Sequence, residues 1–380
     1  MQRILLTGAR APAALHMARI LHEQGHLVFA ADSCHFPMLK FSKVIEQFFT
    51  IPSPVTHSND FKNQLLSLVR QHKINWIIPT CEEVLHHSQH LDDLKRECQV
   101  LTDNLDLLLT FHNKWEFSKL INDTDVQCPE THLIQTDEDL KHWRTHSRDV
   151  VFKPVYSRFA AYTLIRPTPD QCAQIPVSEE APWIAQTFIP GKEFSSYSIA
   201  YQGRISLHSS YYSLYRAGKG AGIYFQAHQS ERIEAFVKRF AEKHKYTGQL
   251  AFDFIENAEG QLYVLECNPR LTSGIHLFNR NAASAILNEN QSDLPCYPET
   301  LNNSPMLSSM MWFYGIHQKP FRTFWKDLKK GQDVTYSSYD SISLFHQGLS
   351  ISEMFYRTIK HRCNLLEATT MDIAWNSPRA

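Results

Sequence analysis

The sequence predicts an α/β plus α+β chain: a doubly wound unit at the N-terminus, an antiparallel region in the middle and a mostly helical C-terminal extension. Three observations predict it. The opening residues follow a strand–helix–strand pattern, the middle runs in alternating strands joined by turns, and beyond about residue 280 the pattern fades into three separate helical-looking stretches.

In the first unit, RILLTG (3–8) reads as a buried strand and APAALHMARILHEQG (11–25) as an amphipathic helix ending at Gly25. HLVFAAD (26–32) is the second strand. FKNQLLSLVRQHK (61–73) predicts a helix, INWIIPT (74–80) a third buried strand, EEVLHHSQHLDDLKRE (82–97) a helix and CQVLTDN (98–104) a fourth strand. Such units pair their strands in parallel with helices packed across the sheet.

The first turn, TGARAPAA, holds Gly8 alone where a dinucleotide fingerprint needs three glycines, although Asp32 ends the second strand where a ribose-binding acid would stand. This argues against a nicotinamide-dependent oxidoreductase. PTCEEV (79–84) lies at the carboxyl end of the third strand, where open parallel sheets bind ligands, so Glu82 or Glu83 is a candidate for an acceptor's amino group. Capping of the next helix is the competing role. Cys81 has no visible base to make it a nucleophile.

Composition sets the class. With 380 residues, 43% hydrophobic and 20% charged, the chain is long enough for two or three domains and ordinary enough to be globular. A formal charge of −1 gives no long-range pull toward nucleic acid or anionic lipid. Eight cysteines without a CxxC pair point to reduced thiols and a cytoplasmic location. The N-terminal apolar run is too short for a secretory segment, and no stretch is apolar over the roughly 20 residues a membrane span needs. The 20 histidines are dispersed; in the densest group, LHHSQH (85–90), the four-residue spacing of His86 and His90 could place two imidazoles on one helix face, which an ordinary polar helix surface also explains.

NKWEFSKLIND (113–123) predicts a helix, and a short strand follows Pro129. A hairpin comes next: a strand over 150–154, a polar bend at Ser157 and Arg158, and a return over 161–166. Residues 182–226 continue in short alternating strands, and SERIEAFVKRFAEKHK (230–245) is an amphipathic helix. Beyond it, NRNAASAILNE (279–289), FRTFWKDLKKG (321–331) and SISEMFYRTIKHR (350–362) look helical.

The chemistry concentrates in GQLAFDFIENAEGQLYVLECNPRLTSG (248–274). Alternation puts Asp253 opposite Phe252 and Phe254, and Glu266 opposite Leu265, so pairing across the NAEG turn brings the two carboxylates face to face. Asn268 shares the face of Glu266, whereas Cys267 points away. An all-oxygen set of this kind suits a hard divalent cation that keeps positions open for phosphate. Arg270 is placed to neutralise a transferring phosphoryl group.

With DFIENAEGQLYVLECNPR, an acid on one strand followed by ExNPR on the next, the chain resembles the ATP-grasp superfamily, in its carboxylate–amine ligase and carbamoyl-phosphate-synthase-like branch. The resemblance implies a Rossmann-like domain over 1–105 and two α+β subdomains clamping ATP, the small one with its leading helix over 106–190 and the large one over 191–280. A C-terminal helical extension fills 281–380. It implies that Asp253, Glu266 and Asn268 hold Mg²⁺ (or Mn²⁺), that Lys114 and Lys153 contact ATP phosphates, and that Arg270 contacts phosphate or substrate. It further implies that WIAQTFIPGKEF (183–194) grips adenine along Gln186, Phe188 and Ile189, with Glu193 toward the ribose.

In this sequence the bend after Lys153, KPVYSRFAAYT, contains no glycine where the family's phosphate loop is glycine-rich, so Ser157 and Arg158 are expected to act through side chains. YRAGKGAGIYF (215–225) reads as a cationic substrate loop carrying Arg216 and Lys219, or as a plain flexible connection. RLTSGIHLF (270–278) is expected to line the acceptor pocket through Ser273, Gly274 and His276, or simply to begin a helical turn. The implied activity is ATP-dependent joining of a carboxylate, activated as an acyl phosphate, to an amine, with catalysis carried by Lys153, Arg216 and Arg270; the resemblance allows a homodimer. A noncatalytic nucleotide-binding or sensing protein is the alternative.

Overall fold

The computed structural model describes residues 1–156, 162–218, 220–289, 294–299 and 304–375. The N-terminal unit comprises β1 (Arg3–Thr7), α1 (Pro12–Glu23), β2 (Leu27–Asp32), β3 (Ile45–Thr50), α2 (Ser58–His72), β4 (Trp76–Pro79), α3 (Val84–Gln89), α4 (Leu91–Lys95) and β5 (Gln99–Val100). Its five strands are parallel in the order β3-β2-β1-β4-β5. The continuous apolar run of β1 fits its central position, and the sheet's order reverses between β1 and β4. Pro12 opens α1 at a position where a missing N–H costs nothing.

Three details depart from the sequence expectation. The helix expected over 82–97 breaks at His90, whose ring hydrogen-bonds Ser58 Oγ at 2.9 Å on α2. The strand expected over 98–104 shrinks to Gln99–Val100. Strand β3 was not foreseen, because as a half-exposed edge strand it has no buried apolar face to set a period.

Two asparagines then turn the chain into the next layer. Asn104 caps α5 (Leu105–His112), and the side chain of Asn113 accepts from the backbone N–H groups of Trp115 and Glu116 to start α6 (Lys114–Leu120). After β6 (Val126–Gln127) comes a four-stranded sheet, order β7-β10-β8-β9, made of β7 (Thr131–Ile134), β8 (Val150–Pro154), β9 (Leu164–Ile165) and β10 (Trp183–Thr187). The helices α7 (Asp137–Arg144) and α8 (Pro169–Cys172), each begun by a threonine capping box, close its core around Leu140, Phe152 and Trp183.

The large sheet has eight strands. Its centre is β11 (Lys192–Tyr201), β12 (Arg204–Ala217), β13 (Ala221–Ala227), β14 (Gly248–Glu256) and β15 (Leu262–Asn268), with β6 added in parallel to β15. Helix α9 (Glu231–His244) packs Phe236 and Phe240 against Phe252. The strands expected to be short are long here, ten residues in β11 and fourteen in β12. Buried Ser196, Ser198 and Ser209 interrupt the apolar pattern without ending the strands, because both faces of the sheet are covered.

The extension contains α10 (Ala283–Ile286), β16 (Pro305–Met306), α11 (Ser308–Tyr314), α12 (Phe321–Lys330), β17 (Gln332–Asp333), α13 (Leu344–His361) and α14 (Leu365–Ala368). It folds back on both earlier layers. Arg19 of α1 pairs with buried Asp340 at 2.8 Å, and the Tyr215 hydroxyl donates to Asp327 at 2.7 Å. Among the described residues, no helix is long and apolar enough to cross a membrane.

Candidate functional site

The β14–β15 hairpin builds the centre of the site. Asp253 and Glu266 are register partners, with an irregularity in the ladder immediately after Asp253, and Phe252, Phe254, Val264 and Cys267 are buried behind them. Asn268 lies 3.4 Å from Asp253 Oδ2 and 3.5 Å from Glu266 Oε1 through its side-chain nitrogen. Ser195, on the neighbouring β11, donates to Asp253 Oδ1 at 2.7 Å.

Two lysines meet this pair from other elements. Lys114, at the start of α6, is buried with Nζ 3.6 Å from Glu266 Oε2. Lys153, on β8, is also buried; its Nζ donates to Gln186 Oε1 at 3.0 Å, and Gln186 Nε2 donates in turn to Thr131 Oγ1 at 3.1 Å. The β8–β10–β7 pairing aligns that chain of groups.

Electrostatics divides the two acids. Burial, then the adjacent Glu266 carboxylate, pushes Asp253 above the usual carboxylate range. Burial also works against ionised Glu266, but Lys114 and Lys153 outweigh it and hold Glu266 low. Burial lowers Lys153 itself, partly offset by Glu266. Two half-buried carboxylates and an amide at one spot therefore make a hard-oxygen set with one member short of a counter-charge. A divalent cation fits that set. It requires Asn268 to present its amide oxygen, which a rotation of the amide group supplies.

The cleft above this centre has a volume of about 340 Å³ and lies between the two antiparallel sheets. Gln186, Phe188, Ile189 and Glu193 line one side, and Ser273 and Arg270 the other. The guanidinium of Arg166 stacks 5.2 Å from the Phe188 ring. Glu193 and Arg216 pair across the mouth at 2.5 Å, and the backbone N–H of Arg216 donates to Gln318 Oε1 of the extension at 3.0 Å.

Other expected residues lie elsewhere. Gly274 is packed out of the cleft: a Cβ there would stand 2.4 Å from Tyr197 Cβ. His276 is buried against His16 and Phe225, and burial lowers its pKa, so the ring is neutral core rather than cleft lining. Glu83 is also buried away from the cleft, with Oε1 accepting from Thr7 Oγ1 and Thr80 N at 2.9 Å each beneath Gly8. Burial lifts its pKa. Its neighbour Glu82 reaches the site instead, accepting from Arg270 Nε at 2.9 Å. Ser157, Arg158 and Lys219 lie outside the described residues.

Burial lifts the Cys81 thiol to about 12, which removes it as a nucleophile. His86 packs on Trp375, whereas His90 turns to Ser58, so the two do not converge on a metal. Asp32, Cys34 and Asp372 do converge, but Arg10 bridges both carboxylates and fills that position with a guanidinium.

Sequence reasoning missed Ser195, Gln186 as a partner of Lys153, and the contact of Glu82 with Arg270. Only strand register and domain packing make those pairs.

The family model for an ATP-grasp domain matches residues 111–274. Solved structures share the fold at low identity. N5-carboxyaminoimidazole synthetase from Staphylococcus aureus, complexed with ADP, aligns at 15% identity and TM-score 0.59 over 79% of this chain and 80% of that one. Biotin carboxylase from Campylobacter jejuni aligns at 13% and 0.60 over 80% and 74%. An L-amino acid ligase from Bacillus licheniformis aligns at 14% and 0.57 over 72% and 68%.

Proposed function

We propose, from the match of residues 111–274 to the family model for an ATP-grasp domain, that this protein is an ATP- and Mg²⁺-dependent ligase that activates a carboxylate as an acyl phosphate and joins it to an amine. The observation that carries the proposal is the convergence of Lys114 and Lys153, from two separate elements, on the Asp253–Glu266 pair at the floor of one cleft. Burying two ammonium groups is costly, and a triphosphate would supply both with further negative charge.

The roles follow from position. Adenine lies along Phe188 and Ile189, where backbone N–H and C=O groups read the base, and Glu193 faces the ribose. Lys114 and Lys153 hold the phosphates, Lys153 kept in place by Gln186. Asp253, Glu266 and Asn268 would hold the cation, which when bound supplies charge neutralisation at the phosphoryl oxygens. Ser195 fixes the Asp253 carboxylate. Arg216 and Arg270 flank the cleft where a substrate carboxylate would meet the γ-phosphorus.

In the first step a carboxylate oxygen bonds to the γ-phosphorus as the bond to the ADP oxygen breaks. In the second the amine attacks the acyl carbon, inorganic phosphate leaves, and the nitrogen loses a proton. Catalysis of this kind is positioning and charge stabilisation. The test is phosphate release from ATP with pools of carboxylates and amines. Release that needs both and disappears in Glu266→Ala supports the ligase; nucleotide binding without turnover on any pair leaves the sensing alternative.

A further inference from the structure

A second cavity, of about 750 Å³, lies outside the cleft and shares no lining residue with it. It opens at the carboxyl ends of β2 and β3, beside Ser33, Phe36 and Ser53, and is roofed by α13. Open parallel sheets offer ligand space at that edge.

The way α13 is attached explains why space remains. None of its described apolar residues is buried, so the helix is not packed on the sheet through an apolar stripe. Polar contacts hold it off instead: Glu353 accepts from the backbone N–H of His35 at 2.9 Å and of Phe36 at 2.7 Å, and Arg357 pairs with Asp372 at 2.9 Å.

These contacts also use up the acids. Glu353 takes its two N–H donors and Arg357, and Asp372 takes Arg10, Arg357 and Ser33 Oγ. Asp372 is accordingly held far below the usual carboxylate range: burial opposes this, but Arg10 and Arg357 prevail. On the cavity wall Lys360 has no carboxylate partner among the described residues, and exposed His361 stands beside it. Half-open aromatic faces, Phe36 at 40% and Tyr356 at 62% exposure, complete the wall. A cation without a carboxylate partner, lying 5.7 Å from the centre of the Tyr356 ring, selects for an anion attached to a flat apolar group.

We propose that this cavity is a second ligand site that takes a small organic anion bearing an aromatic or similarly flat group, independently of the nucleotide cleft. The probe is phenyl phosphate, titrated calorimetrically into the full chain. One molecule is expected to bind, more tightly than inorganic phosphate, and ADP is expected not to displace it. Lys360→Glu should weaken it by at least about tenfold, and Tyr356→Ala should weaken it too; both side chains are exposed, so neither change threatens folding. Lys153→Met should leave it unchanged. Absence of saturable binding, undiminished binding in Lys360→Glu, or displacement by ADP would overturn the proposal. Because the Lys360 and Lys153 variants read different sites, failure here is separable from failure of the ligase reading.

Discussion

Arg270 Nε donates to Glu82 Oε1 at 2.9 Å, and this ion pair fastens the end of β15 to the carboxyl end of the N-terminal sheet. Glu82 is almost wholly buried and Arg270 nearly so. Removing one partner from a buried pair strands the other charge, so Glu82→Ala should cost about 3 kcal/mol of stability. Urea unfolding of Glu82→Ala, Arg270→Ala and the double variant checks this. A double variant as destabilised as the sum of the singles contradicts the coupling.

Gly274 has no room for a side chain. Its Cβ would meet Tyr197 Cβ at 2.4 Å and Tyr211 Cε1 at 2.9 Å. Gly274→Ala should lower stability by about 1–3 kcal/mol through overpacking. Ser273→Ala, one residue away and lining the cleft, should leave the melting temperature within a degree or two of the wild-type value. Equal melting temperatures for both variants would remove the distinction drawn between packed glycine and cleft lining.

Burial keeps His87 and His208 neutral, each with its pKa pushed down to about 4. The unfolded chain takes up protons at these positions near pH 6.5 while the native protein does not. Their contribution is therefore intact above about pH 6.5 and is lost as pH falls toward 4, at about 1.4 kcal/mol per pH unit for each. Denaturant midpoints at about pH 7.5 and about pH 5 measure the loss, and His208→Gln should show a shallower one. An unchanged slope in that variant would refute the linkage.

Gln186 lines the cleft wall and also holds Lys153, its Oε1 accepting from Lys153 Nζ at 3.0 Å, so in the proposed site it would act on ATP through the lysine as well. Gln186→Leu should raise the KM for ATP by about tenfold, the worth of one hydrogen bond to a charged group. Gln186→Glu restores an acceptor and should recover much of the loss. No difference between the two variants would show that Gln186 does not position the lysine.

Much of this was legible in the sequence because strand alternation is local. Asp253, Glu266 and Asn268 share a face by counting alone, Cys267 falls on the other, and the structure pairs the two acids across the hairpin. The βαβ opening was equally plain, since β1 is a continuous apolar run between turn signals. What escaped depends on packing between distant segments. That Glu82 rather than Glu83 faces Arg270 is decided by the rotation of one turn after β4, and the short apolar segment at Ser273–Leu277 gave no sign that His276 is core. Strand β3 escaped because its exposed residues carry no period.

The most direct test of the central claim is the dissociation constant of ATP, with and without Mg²⁺, for wild type, Glu266→Gln and Lys153→Met. The site described predicts that Mg²⁺ tightens binding to the wild type and that Glu266→Gln loses most of that gain while still binding the nucleotide. Lys153→Met should weaken ATP in both conditions by at least about tenfold. Mg²⁺-dependent binding of wild-type strength in both variants would contradict the assignment of this cleft's floor to the phosphates and their cation.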